Sequence, residues 1–333
     1  MREIHKKYLA DFSATIYIRV LEYCMKFSVV IPLYNKEHYI IDTIKSVLNQ
    51  TFRDYELIVV DDGSKDHSYE AAKSLESDKI VLLHQENQGV AVARNIGIEN
   101  ARGEYIAFLD ADDYWYSDYL ETIDDLIQRF PDSDMFVTSY RVNMGKGKYH
   151  YSAHLSDEPT LLPSYWVTYK NAYDTVWTSA TVIRREAILK AGMFTPGEKI
   201  GQDLDLWARV AKNNPLVAYS PKVCVDYNRD AEQNARTRVK IAYPKAFLGV
   251  LKEEMGSSRW NEEDKKWMLS KYNKKMIVYV FTSIIAGERQ QARRVLRDWK
   301  KEYDNIYIAP LYCASFLPSS INKFVYKIRM KVF

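Results

Sequence analysis

Two clusters of aspartate, each closing an apolar run, are the side chains of this chain best suited to chemistry. Leu57-Ile58-Val59-Val60 leads into Asp61-Asp62-Gly63-Ser64, and Tyr105-Ile106-Ala107-Phe108-Leu109 leads into Asp110-Ala111-Asp112-Asp113. Short apolar runs bounded by turn residues read as buried parallel strands. In an open α/β sheet, ligands bind at the carboxyl ends of such strands. Two acidic clusters on one rim repel each other unless positive charge sits between them. A divalent cation carrying a diphosphate is the natural candidate, because hard cations take carboxylate oxygens. Residues i and i+2 of an extended segment point to the same side, so Asp110 and Asp112 can converge on one ligand. The plainer alternatives are a strand-to-helix turn at Asp61–Ser64 and a helix-capping acidic turn before Ser117.

The elements that must position these groups alternate strand and helix. Strands are expected at Phe27–Leu33, Glu56–Asp61, Lys79–His84, Tyr105–Asp110 and Met135–Val142. After the first comes a helix whose Ile40, Ile41, Ile44, Val47 and Leu48 form one apolar face. Asp66 is placed to cap the next helix. Further helices are expected at Gly89–Ala101 and at Asp118–Phe130, the latter stopping at Pro131. This alternation gives a mainly parallel sheet flanked by helices. Asp226–Thr237 is polar and without apolar periodicity, and reads as a loop suited to closing over a ligand. From about residue 231 the pattern is helical only, with Asn261–Ala286, Glu288–Tyr303 and a last basic segment.

Composition narrows the function classes. The 47% hydrophobic fraction can fill a sizeable core, and the 26 tyrosines suit core packing as well as sugar faces. Three scattered cysteines exclude a disulfide framework or a zinc site and point to a reducing compartment. No apolar stretch reaches the roughly 18 residues needed to span a bilayer. Residues 1–24 lack the pattern of a secretory signal and read as an extension upstream of a start at Met25; a packed N-terminal helix is the alternative. The net charge of +3 hides an asymmetry: residues 240–333 carry +10 and the remainder −7. A basic tail suits either an anionic membrane surface or a solvated helical cap. No nucleic-acid partner is expected. The first strand ends in Pro32-Leu33-Tyr34-Asn35-Lys36, without the glycines of a dinucleotide fold, and there is no P-loop, G-x-S-x-G or H-E-x-x-H motif. Six scattered histidines leave carboxylates as the metal-binding chemistry.

V-V-I-P-L-Y-N, L-I-V-V-D-D-G-S, N-Q-G-V-A-V-A-R-N-I-G and G-E-Y-I-A-F-L-D-A-D-D follow one another in this order. Together they resemble the family 2 inverting glycosyltransferases with the GT-A fold, of the bacterial cell-surface polysaccharide type. Gly192–Arg209, G-M-F-T-P-G-E-K-I-G-Q-D-L-D-L-W-A-R, is similar to that family's acidic catalytic motif. The resemblance covers about residues 27–230. It implies a GT-A-type α/β fold, mainly parallel sheet flanked by helices, with a C-terminal helical region. Three regions follow: an N-terminal extension over 1–26, a catalytic domain over 27–230 and a basic helical region over 231–333.

The resemblance also implies roles. Pro32 and Tyr34 would face a uracil-like base and Asp62 would accept a hydrogen bond from it, with Asp61 supporting the turn. Asp110 would hold the ribose and Asp112 the metal, Mn²⁺ or Mg²⁺, with Asp113 as support. Arg94 would meet either a phosphate or an acidic strand end. Asp203 would be the general base that takes the proton of the attacking hydroxyl; its alternative is the N-cap of a helix at Leu204–Ala211. The family carries an acid before this base, and here Gln202 replaces it. Trp177 and Gln202 would lie on the acceptor side, while Trp166 and Trp207 read as core. The implied reaction is a single inverting displacement from a nucleotide-diphosphate sugar, a UDP-sugar for preference, to a glycan or lipid-linked acceptor. It would take place in the cytoplasm, peripheral on the inner face of the membrane. Two other classes stay open: a nucleotide-sugar-binding protein without turnover, and a sugar nucleotidyltransferase.

Overall fold

The computed structural model describes residues 25–75, 77–172, 175–198, 200–229, 244–302 and 308–317. The chain divides into two units, one of residues 1–197 with 202–234 and one of residues 198–201 with 235–333.

In the first unit the predicted alternation is present. The elements run β1 (Met25–Leu33), α1 (Ile40–Leu48), β2 (Tyr55–Asp61), α2 (Ser68–Lys73), β3 (Ile80–His84), α3 (Val90–Asn100), β4 (Gly103–Phe108), β5 (Tyr114–Trp115) and α4 (Tyr119–Arg129). Then come β6 (Met135–Asn143), β7 (Tyr149–Tyr151), β8 (Thr160–Leu162), α5 (Tyr165–Asn171), β9 (Thr181–Arg184), α6 (Arg185–Ala191), α7 (Gln202–Asn213) and β10 (Val217–Asn228). The strands form one sheet in the order β3-β2-β1-β4-β9-β6-β10-β5, with β7 on β6 and β8 on β10. β3, β2, β1 and β4 are parallel neighbours, and β6 is parallel to β10. β9 joins the two blocks by antiparallel pairing on both sides.

β1 and β2 are buried along nearly their whole length, as strands covered on both faces must be. The core includes Val29, Ile31, Leu57 and Val59 from these strands, Ala107 from β4, and Ile40, Ile44, Val47 and Ile123 from the helices packed on them. α3 lies very close to β1. A Cβ on Gly97 would stand 2.3 Å from Val30 Cγ1, so only glycine permits that approach. Beneath the sheet, buried Glu56 accepts from Ser28 Oγ at 2.7 Å and from the Arg102 amide at 2.7 Å, tying β1, β2 and the start of β4 together.

The structure corrects the sequence reading at Asp226–Asn228. These residues are the end of β10 rather than the start of a loop. The Asp226 carboxylate accepts two hydrogen bonds from the Arg141 guanidinium, at 2.5 and 2.8 Å, and one from Tyr116 Oη at 2.9 Å. A polar strand end is stable there because its partners come from neighbouring strands, which local periodicity does not report. The rest of the expected loop, residues 230–237, lies outside the described residues.

The second unit is helical: α8 (Lys245–Met255), α9 (Glu262–Ile285), α10 (Arg289–Glu302) and α11 (Ile308–Ala314). Asn261 Oδ1 accepts from the Asp264 amide at 2.8 Å and caps α9, and Glu262, Glu263 and Asp264 in its first turn favour the helix dipole. Among the described residues no helix is long and apolar enough to cross a membrane.

Candidate active site

The strand order creates a crevice. From β1 the chain winds outward through β2 to β3, then crosses back to place β4 on the other side of β1. The β1–β4 ladder ends at Val30 and Phe108. Beyond it the two strands give way to loops at their carboxyl ends, the topological switch point where open α/β sheets bind ligands. Pro32, which has no amide to donate, sits past the end of that ladder. Tyr34 follows at the rim, half-buried.

The first acidic cluster is hydrogen-bonded within its own loops. Asp61 is fully buried; one of its oxygens lies 2.7 Å from His84 Nδ1, and the Ser64 amide also points to the carboxylate. Asp62 accepts from Gln85 Nε2 at 2.6 Å and from the Gln88 and Gly89 amides at 2.8 and 2.9 Å. It therefore fixes the loop that opens α3. Gly63 has φ +69°, and a Cβ there would meet the Asn87 amide at 2.9 Å, so this turn requires glycine.

The second cluster faces two cations. Arg94, buried on α3, donates through Nη2 to Asp110 Oδ1 at 2.6 Å. Its Nε has no hydrogen-bond partner among the described residues. Lys36 Nζ donates to Asp112 Oδ2 at 2.6 Å, with both side chains largely buried. Asp113 turns inward, accepting from Ser179 Oγ and from the Asn228 amide at 2.9 Å. Burial pushes the Asp112 carboxyl up and Asp110 adds to this, while Lys36 opposes it. Burial, with the charges of Asp112 and Asp110, holds Asp113 well above the usual carboxylate range.

Asp203 lies in the first turn of α7, inside the helix rather than at its cap. It is tied to the second cluster through one strip of chain. Thr178 Oγ1 donates to Asp203 Oδ2 at 3.3 Å, and neighbouring Ser179 bonds Asp113 while accepting from the Asp110 amide at 3.1 Å. Gln202 beside it is buried. Asp205 is anchored by Thr195 Oγ1 at 2.7 Å and by Arg209 at 2.7 Å. Asn95 clamps Phe194, exchanging hydrogen bonds with its amide and its carbonyl at 2.9 Å each. Trp177 is half-buried, its ring 4.5 Å from Tyr227 and 5.8 Å from Tyr140. Trp166 and Trp207 are core.

The rim thus brings together Asp110, Asp112 and Arg94, with Asp203 linked to them through Thr178 and Ser179. Sequence reasoning missed the contacts that Lys36, Ser179 and Asn228 make with the second cluster. Lys36 follows Tyr34-Asn35 directly after the first strand, and that position was the available signal. The contacts of Ser179 and Asn228 leave no local signal, because their partners are remote in sequence.

Among the described residues no three acidic, histidine or cysteine side chains converge as a metal site. The chemistry still suits a divalent cation. Asp112 is a buried carboxylate already met by a cation, the Lys36 ammonium, and a small cation that keeps waters and phosphate oxygens needs only one or two protein carboxylates.

The profile of Glycosyl transferase family 2 matches residues 28–191. An uncharacterized glycosyltransferase of Rickettsia prowazekii is 31% identical over 237 residues, covering 68% of this chain and 71% of that one. Another, from Rickettsia conorii, is 37% identical over 196 residues, 57% of this chain; the chain spans only 31% of that relative's length. S. aureus TarS residues 1–349, solved in complex with UDP-GlcNAc, matches with a TM-score of 0.66 at 21% identity, over 82% of this chain and 80% of that one.

Proposed function

The chain belongs to glycosyl transferase family 2, and from that premise we propose that it moves a sugar from a nucleotide-diphosphate donor, a UDP-sugar, onto a glycan or lipid-linked acceptor with inversion. The observation that carries this reading is the acidic rim at the β1–β4 switch point, where Asp110 and Asp112 meet Arg94 and Lys36 and where Asp203 is tethered alongside. The match to a TarS structure holding UDP-GlcNAc supports the choice of nucleotide.

Asp203 takes the proton of the acceptor hydroxyl as that oxygen attacks the anomeric carbon. A carboxylate is a weak base, sufficient where proton transfer lags behind departure of the diphosphate. Arg94, with an unused Nε, offers charge to a phosphate. Asp112, with Asp110 beside it, would hold Mn²⁺ or Mg²⁺, which supplies Lewis-acid neutralisation of the departing nucleoside diphosphate. Pro32 and Tyr34 would border the base and Trp177 with Gln202 the acceptor side, in a cytoplasmic enzyme held at the inner membrane face by its basic C-terminal region.

A thermal-shift panel of nucleotide sugars, each with and without Mn²⁺, tests this reading. A UDP-sugar should raise Tm only when Mn²⁺ is present. A panel in which no nucleotide sugar shifts Tm overturns it.

A further inference from the structure

At the register of Asp226 four strands line up side by side. Asp226 of β10 pairs with Tyr114 of β5 on one side and with Arg141 of β6 on the other, and Arg141 pairs with Tyr151 of β7. Residues at one register of a sheet point to the same face, so the row reads tyrosine, carboxylate, guanidinium, tyrosine. Tyr149, two residues before Tyr151, joins that face, and the Arg141 guanidinium lies over its ring at 4.2 Å. Tyr114, Tyr149 and Tyr151 are 43, 45 and 56% exposed. Between them the Arg141–Asp226 pair is fixed by two hydrogen bonds and by Tyr116 Oη. The outer strands of the row stand three spacings apart, about 14 Å.

This face is continuous with the acidic rim. Tyr114 is the next residue after Asp113, and the Asn228 amide at the end of β10 donates to Asp113 Oδ1 at 2.9 Å. The mixture of groups decides what the face takes. A protein interface gathers apolar side chains and depletes charge at its centre, whereas here an ion pair holds the centre and the rings flank it. A glycan has the matching chemistry. The C–H faces of its rings lie on aromatic rings, and its hydroxyls meet carboxylate and guanidinium. A row of about 14 Å is longer than one sugar ring. Resting on the proposed glycosyl transfer, we infer that this row is an acceptor subsite, holding sugars of the acceptor glycan beyond the one that is attacked. The acceptor is therefore an oligosaccharide rather than a single sugar.

The fluorophore-labelled full chain, laid with UDP and Mn²⁺ on an array of bacterial surface glycans printed from single sugars to octasaccharides, tests this. At least one glycan series should be bound, with a signal that rises at least tenfold from the single sugar to the longer members. Tyr149→Ala and Tyr151→Ala should each weaken binding of the longer members about tenfold, while Tyr149→Phe and Tyr151→Phe, which keep the ring face, should bind as wild type does. All four variants should keep the wild-type Tm shift with UDP and Mn²⁺, which shows that they are folded and that the donor side is intact. A silent array, binding indifferent to glycan length, or full binding by the alanine variants overturns the inference. So does loss of the Tm shift in the variants, which would make the rings part of the donor site or the fold. A dimer in sedimentation velocity that the alanine variants dissolve would put a second copy of the chain on this face and overturns it too. If the wild-type Tm shift stands and the array is indifferent, only this inference falls; if no UDP-sugar shifts the wild-type Tm, the donor reading falls and this inference with it.

Discussion

At the scale of single residues, Asp203 and Ser179 separate chemistry from architecture. Asp203→Asn keeps size and shape: its amide oxygen can still accept from the Leu204 amide, and its NH₂ can donate to Thr178 Oγ1 where the carboxylate accepted from it. Removing only the base should cost about a hundredfold or more in turnover while leaving the Tm shift with UDP and Mn²⁺ unchanged. Near-normal transfer would end its assignment as base. Ser179→Ala does the reverse. It strips a donor from the buried Asp113 carboxyl and an acceptor from the Asp110 amide. The expected loss is about 2 kcal/mol, read as roughly 4–8 °C in Tm. The aspartates were legible in sequence because each ends an apolar run. Ser179 was not, because its partners lie 66 and 69 residues away.

Elements show the same division. The parallel half of the sheet was legible because strands buried on both faces are unbroken apolar runs, and the helix boundaries fall within a few residues of those expected. β9 and β10 were not, since their pairing is set by remote partners and their polar ends are satisfied across the sheet. The α3–β1 packing offers a test. Gly97→Ala should gain helix propensity of about 1 kcal/mol, yet its Cβ meets Val30 on a central strand. Overpacking should win, leaving a net loss of about 1–3 kcal/mol in urea unfolding, and Val30→Ala in the same chain should recover part of it. A stabilised single variant would refute the close approach. At the start of α2, burial of Asp66 pushes its carboxyl up, but the Ser68 hydroxyl, the Ser68 amide and the Glu37 amide outweigh this and hold it below its ordinary value. Its contribution to stability is therefore full above the unfolded value, near 4, and fades as pH falls through the folded one. Asp66→Asn should lower the urea midpoint at pH 6 more than at pH 3, and an equal loss at both would show that the ionised form is not the one stabilised.

For the whole molecule, the distribution of charge matters more than its sum. Residues 240–333 carry +10 against −7 for the rest, and α10 alone holds Arg289, Arg293, Arg294, Arg297, Lys300 and Lys301. Near the end of the described chain, Phe316 is 58% and Leu317 43% exposed, and Arg293 lies over the Phe316 ring at 4.6 Å. Apolar side chains beside cations suit an anionic interface, where the ring enters the headgroup layer and the cations meet phosphates. Lys323, Lys327, Arg329 and Lys331, outside the described residues, add four charges at about 1 kcal/mol each. A chain ending at Leu317 should therefore bind phosphatidylglycerol vesicles at least a hundredfold more weakly than the full chain in co-sedimentation at about 0.1 M salt. Raising salt to about 0.5 M should weaken the full chain further, because screening shortens the reach of surface charge. Equal pelleting of the two chains, or binding indifferent to salt, would mean that the basic helices are a solvated cap and that the acceptor meets the enzyme without the membrane's help.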